Sequence, residues 1–171
     1  MKYIAFLRGI NVGGKNIIKM EDLRKEYESL GFNNVKTYIQ SGNVIFETKE
    51  TNVQKLKKKI EESSKKCFGT EIITFLKTIE ELKELIKLNP FKKEERRYVT
   101  FIEQPIKKQV PCFSSKKDVE IIAIKETTLF SYAHEVNGQA GFPNSFIEKE
   151  FKTQATTRNW NTIEKIVKNY S

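Results

Sequence analysis

The sequence predicts an α+β fold made of two halves. Three observations carry that expectation: an opening strand apolar on both sides, helical stretches with apolar residues three and four apart alternating with β-branched runs, and no Pro/Gly/Ser linker near residue 80. The halves are expected at residues 1–78 and 79–171, packed so tightly that they count almost as one domain. A chain of 171 residues can build such a core without staples.

The segment Tyr3 to Leu7 is a short apolar run with little alternation, as a central strand covered on each face requires. A polar, glycine-bearing segment follows, Gly9 to Lys19. Met20, Leu23, Tyr27 and Leu30 then share one helical face, with Glu21 and Asp22 in the first turn and Gly31 past the end. Val35–Gln40 and Asn43–Glu47 are rich in β-branched and aromatic residues. Ser41-Gly42 between them predicts a tight hairpin turn in which glycine supplies the positive φ. Thr51 with Gln54 predicts a capping box for a second helix, carrying Val53, Leu56 and Ile60 on one face and ending at Gly69. Ile72–Leu76 reads as the fourth strand. This order, β-α-β-β-α-β, is the ferredoxin-like pattern, an antiparallel sheet in the order 4-1-3-2 with both helices on one face.

The second half is less regular. Thr78 with Glu81 predicts a capping box opening a helix with Leu82, Leu85 and Ile86 inward and Pro90 after its end. Arg97–Glu103, Val119–Lys125 and Thr128–Tyr132 read as strands, and Pro105–Asp118 as a long loop or short irregular helix. A last helix carries Trp160, Ile163, Ile166, Val167 and Tyr170 on one face, with Asn161 and Glu164, or Thr157, as its caps.

Composition excludes several function classes. The two cysteines, Cys67 and Cys112, are far apart with no C-x-x-C pairing, the pattern of buried thiols in a reducing compartment rather than of a redox or metal motif. The N-terminal apolar run is broken by Arg8, too early for a signal peptide. No apolar run approaches the roughly 20 residues that cross a bilayer. A cytoplasmic location with no membrane partner is therefore expected. The net charge of +9 would suit a polyanion, but it is almost all lysine. Arg8, Arg24, Arg96, Arg97 and Arg158 are the arginines, the residue type that grips phosphates and bases in bidentate fashion. Nucleic-acid binding is therefore weighed but not favoured.

Two polar segments are expected to meet at one sheet edge, because strand one is antiparallel to strand three and the end of the first lies beside the start of the second. Arg8, Asn11, Gly13, Gly14, Lys15 and Asn16 come from one; Gln40, Ser41, Gly42 and Asn43 come from the other. Glycines let backbone donors approach an anion, and a basic side chain completes a cradle. The competing reading is that these residues only build turns. Gly9-x-x-x-x-Gly14-Lys15 comes close to a phosphate-binding P-loop. It is rejected because Asn16 replaces the magnesium-binding hydroxyl, the helix does not start at once, and the sheet is antiparallel.

Thr157, Arg158, Asn159 and Trp160 form a second candidate group, a cation beside an aromatic that could stack on a base or acidic peptide. The plainer reading is a helix start whose tryptophan anchors the core. Arg158 could also reach the first edge or a cleft between the halves. The lysines at 57–59 and 65–66 read as a solvated helix face, interrupted by Glu61 and Glu62. Tyr3, Phe6 and Phe46 lack the RNP1 pattern of an RNA-binding sheet and read as core. His134 is the only histidine, with Glu135 as its sole nominated orienter. No catalytic set, metal site or cofactor is expected.

Three segments together resemble the bacterial family called domain of unknown function 1697: Tyr3 to Asn16 (YIAFLRGINVGGKN), Thr37 to Phe46 (TYIQSGNVIF), and Ala155 to Thr162 (ATTRNWNT). The resemblance spans nearly the whole chain and implies two ferredoxin-like α+β halves with no established activity. Where the family carries a Gly-x-Gly-Arg-Ser-like turn after the late strand, this chain has Asn137 to Ser145 without the basic residue, which weakens an anion-binding role for that turn. The sequence therefore points to a non-catalytic binding module for a small anion, nucleotide or acidic segment at the Arg8/Gly13/Ser41 edge or in the cleft. The alternatives are lysine-driven nucleic-acid binding and a metal-free transferase or hydrolase.

Overall fold

In a computed structural model describing residues 1–171, the chain divides into two compact units: Met1–Lys83 with Asn169–Ser171, and Glu84–Lys168. No helix is long and apolar enough to cross a membrane.

The first unit contains β1 (Lys2–Leu7), α1 (Met20–Ser29), β2 (Asn33–Tyr38), β3 (Asn43–Glu47), α2 (Val53–Phe68) and β4 (Thr74–Thr78). Its sheet runs β2-β3-β1-β4 with every neighbouring pair antiparallel, the order 4-1-3-2 seen from the other edge. On one face Tyr3, Ala5 and Leu7 of β1 pack with Val44 and Phe46 of β3, Leu23 and Tyr27 of α1, and Leu56 and Ile60 of α2. Phe46 is the hub of this layer. Phe32 stacks on it at 4.5 Å between ring centroids, and Tyr27 meets it edge-on at 5.5 Å. Ile4, Phe6 and Ile45, pointing the other way, are also buried, which is why β1 reads as apolar without alternation.

Three local features differ from what the pattern predicts. The β2–β3 turn spans four residues, and Ile39 as well as Gly42 has a positive φ, at 51° and 79°. The cap of α2 is Asn52, whose side chain accepts from the Lys55 N–H; Thr51 instead donates its N–H to Glu50. Either residue type can cap; here the helix begins at Val53, directly after the extended Asn52. Finally, β4 begins two residues later than expected, at Thr74, where its first N–H is taken by the Glu61 carboxylate at 2.8 Å.

Helix α3 (Ile79–Leu88) opens with the expected reciprocal box: the Thr78 N–H donates to Glu81 at 2.7 Å and the Glu81 N–H to the Thr78 hydroxyl at 3.1 Å. The second unit adds β5 (Arg96–Ile102), β6 (Cys112–Phe113), β7 (Val119–Lys125), β8 (Thr128–Ala133), β9 (Glu135–Val136), β10 (Gln139–Ala140), α4 (Pro143–Phe151), β11 (Ala155–Asn159) and α5 (Trp160–Tyr170). Its main sheet is antiparallel in the order β11-β5-β8-β7-β6. Ile102, Ile121, Leu129, Ile147 and Ala155 form one cluster of its core.

The stretch expected to begin the last helix is thus an edge strand, β11, paired with β5 from Ala155–Ile102 to Asn159–Tyr98. The helix start is set by Asn159, whose side chain accepts the Asn161 N–H at 3.0 Å, in place of Thr157 or Asn161. Cys67, expected to be buried, is exposed, and Cys112 is half-buried.

Candidate functional site

The end of β1 is held from two sides. The Leu7 N–H donates to the Gly42 carbonyl and the Arg8 N–H to the Ile73 carbonyl, each at 2.9 Å. Gly9, at φ 66°, turns the chain, and Ile10 becomes fully buried. Ile10 rests on Gly42, where an added Cβ would lie 2.5 Å from its Cδ1. Only glycine fits that contact and that left-handed φ together.

From Asn11 to Asn16 the chain makes a miniature hairpin. The Asn11 N–H donates to the Asn16 carbonyl at 3.0 Å and the Lys15 N–H to the Val12 carbonyl at 3.1 Å. Gly13 and Gly14, at φ 58° and 72°, form the tip, the paired left-handed geometry of a type I′ turn. Asn11 ties this hairpin to the β2–β3 turn. Its Oδ1 accepts the Ile18 N–H at 2.8 Å, while its Nδ2 donates to the Ile18 carbonyl at 3.0 Å and the Gln40 carbonyl at 2.9 Å. Asn16 donates from Nδ2 to the Gly9 carbonyl at 3.2 Å. Asn43, fully buried, donates from Nδ2 to the Tyr38 carbonyl at 2.8 Å and to the Ser41 hydroxyl at 3.1 Å.

The two segments expected to converge do so, with a division of labour. Asn11, Asn16, Gly42 and Asn43 build the frame, and Ser41 receives one of its bonds. Gly13, Gly14 and Lys15 stand at the exposed tip. Sequence reasoning passed over three other members: Val12, Ile17 and Ile39 on these same loops are 63%, 76% and 48% exposed. Val12 and Ile17 lie in the polar, glycine-bearing segment and Ile39 in the run expected to be a strand, so pattern alone did not mark any of them as exposed. No Asp or Glu occurs in 9–19 or 39–43, so every charge that these segments carry is positive.

The second candidate group lies in the other unit and is turned inward. The Thr157 hydroxyl meets that of Thr100 at 2.8 Å and donates to the Asn144 side chain at 2.9 Å. Arg158 is 7% exposed, with Nη1 donating to the Thr156 hydroxyl and the Thr157 carbonyl, and burial lowers its pKa to about 10. Trp160 is fully buried, edge-on to Phe91 and Phe130 at 5.2 and 6.0 Å. A cation and indole so placed form no open stacking platform.

Glu135 does not orient His134; it faces Arg96 at 3.8 Å. The histidine Nε2 meets Glu120 at 2.8 Å and its Nδ1 faces Glu95 at 3.5 Å. The hairpin register explains the swap: Glu120 lies across from Tyr132, on the strand beside His134, whereas consecutive residues point to opposite faces. No three His, Cys, Asp or Glu side chains gather closely enough to hold a metal ion.

Comparison with known proteins adds fold and family. No curated protein matches the chain. Among solved structures it is similar to the conserved bacterial protein SP0830 from Streptococcus pneumoniae, at a TM-score of 0.74 and 23% identity over 98% of this chain and 97% of that one. At that identity the likeness is one of fold. The model of DUF1697, a protein family of unknown function, matches residues 1–130. With its three motif segments, its α+β architecture and that match, the chain belongs to the DUF1697 family.

Proposed function

We propose that this protein is a non-catalytic binding module whose ligand is anionic and docks on the edge made by the 9–19 and 39–43 segments. One observation carries the reading. Two loops free of carboxylates are locked together by Asn11, and they present Lys15 and the Gly13-Gly14 backbone on an exposed tip. Cations on a pre-organised frame attract an anion with little ordering cost.

Lysine-driven nucleic-acid binding has less support, because the lysines of α2 are answered locally. Lys57 and Lys58 each face a glutamate one turn on, Glu61 and Glu62, at 3.8 Å, and Lys65 meets Glu71 at 2.6 Å. An enzymatic reading has less still, since the one histidine is flanked by carboxylates and meets no nucleophile in its hydrogen bonds. A cytoplasmic setting fits two free cysteines.

Thermal melting with added inorganic phosphate, ATP or polyglutamate tests the proposal. At saturation one of these anions should raise Tm by roughly 5 °C, and Lys15→Ala should cut that shift by at least half. A wild-type Tm indifferent to all three, or a shift that Lys15→Ala leaves whole, overturns it.

A further inference from the structure

We infer that the ligand of this edge is an acidic segment of a partner protein that also carries apolar side chains, rather than a free phosphate or nucleotide. This rests on the anion-binding reading above and narrows it.

A free phosphate is recognised by donors that converge on a point. At this edge the asparagine amides are spent on the frame, with Gln40 an exposed amide: Asn11 bonds to Ile18 and the Gln40 carbonyl, Asn16 to Gly9, and Asn43 to Tyr38 and Ser41. What faces outward is of a different kind, the exposed lysines at 15 and 19 among three large aliphatic side chains, Val12, Ile17 and Ile39. Exposed aliphatic groups gathered on adjoining loops and bordered by charge of one sign are the mark of a protein-binding surface.

Ile39 is the most telling of these residues. Elsewhere along the two loops the chain uses glycine or asparagine for left-handed backbone: Gly9, Asn11, Gly13, Gly14, Asn16 and Gly42 all have positive φ. Ile39 has φ 51° too, yet it is β-branched, the type least suited to that conformation, and its side chain is 48% exposed. It thus carries conformational strain without the compensation of burial. Such a double departure from local rules is expected where a side chain is held ready for a contact made on binding.

Charge decides the kind of partner. A second copy docked by a two-fold axis would bring Lys15 and Lys19 of each chain toward their own counterparts, and like charges across an interface disfavour it. An acidic segment with apolar residues satisfies the lysines and covers Val12, Ile17 and Ile39 together.

Fluorescence anisotropy with short labelled peptides tests the inference, one peptide of glutamate alone and one alternating glutamate with leucine, with inorganic phosphate as competitor. Wild type should bind the glutamate–leucine peptide at least roughly tenfold more tightly than polyglutamate, the worth of covering one or two aliphatic groups. Lys15→Glu should weaken both peptides. The double variant Ile17→Ser/Ile39→Asn should bind the two peptides alike while melting no lower than wild type, because asparagine relaxes the left-handed turn. Equal wild-type affinity for both peptides, or a preference that survives the double variant, overturns the inference and leaves the anion site standing. If neither peptide nor phosphate binds, the anion reading falls with it.

Discussion

Gly42 shows how a single residue positions the edge. Its left-handed φ of 79° and its contact with Ile10 both exclude a Cβ, whose nearest neighbours would be Ile10 Cδ1 at 2.5 Å and Cγ1 at 2.8 Å. Gly42→Ala must therefore strain the turn and push Ile10 from its buried seat, costing about 2–3 kcal/mol. Urea unfolding should register this as a lower midpoint at unchanged slope; a loss below about 0.5 kcal/mol would mean that the turn yields freely. Glu26 is the residue-scale opposite, a buried carboxyl on α1 that accepts a bond from the Ser64 hydroxyl at 2.9 Å. Burial pushes its pKa above the usual 4.5, outweighing the downward pull of that bond and of Ser63. A raised folded pKa means that the native state holds the proton more tightly than the unfolded chain does. Ionised Glu26 then costs stability, and the cost grows as pH rises from about 4.5 through the folded pKa. Glu26→Gln should gain about 1 kcal/mol at pH 7 and nothing below pH 4, as read by denaturation at the two pH values; an equal effect at both would remove ionisation as the cause. Gly42 was legible in the sequence as a turn glycine. The burial of Glu26 was not, because an acidic residue at a helical position gives no sign of which neighbour it will face.

At the scale of elements, amphipathic period and capping chemistry decided what could be read. Helices α1, α2, α3 and α5 carry apolar residues three and four apart, and the Thr78/Glu81 box places the start of α3 within a residue. The start of α2 had two adjacent capping types, and the cap is Asn52, with Glu50 taking the Thr51 and Asn52 N–H groups. Removing the chosen cap should therefore matter and removing its neighbour should not. Asn52→Ala orphans the Lys55 N–H and should cost about 1 kcal/mol, with Thr51→Ala costing less than half of that in the same urea titration. The reverse ranking would restore the Thr51/Gln54 box. Strand β11 defeated pattern reading for a different reason. Ala155-Thr156-Thr157-Arg158 is buried at every position, yet three of the four side chains are polar and satisfied by partners such as Thr100 and Asn144. A strand held by buried polar pairs has no period-2 apolar signal to detect. Helix α4 starts on Pro143 after Phe142, with no side-chain cap, so the proline alone marked its start.

Across the whole molecule, the architecture follows from which strands must be covered, and the candidate site follows from where loops between them meet. The juxtaposition of Arg8 with Asn43 was deducible from strand direction alone, since β1 and β3 are antiparallel and Phe6 pairs with Asn43. The exposure of Val12, Ile17 and Ile39 was not, because pattern reasoning assigns apolar residues to cores by default. No pattern along the chain hints that residues near its two ends meet. Although α5 begins in the second unit, Asn169–Ser171 belong to the first. There the Lys2 ammonium donates to the Tyr170 carbonyl at 2.9 Å, the Lys36 ammonium sits 5.7 Å over the Tyr170 ring, and Tyr38 meets that ring edge-on at 6.2 Å. One aromatic contact and one cation–π contact depend on the Tyr170 side chain, whereas the Lys2 bond uses only its backbone. Tyr170→Ala should therefore remove about 1–2 kcal/mol, while Tyr170→Phe, which keeps the ring, should cost almost nothing. If both variants unfold at the wild-type urea midpoint, the ring contributes nothing to the first unit and the last turn of α5 is a frayed end; if both lose stability equally, the hydroxyl and not the ring is what holds it.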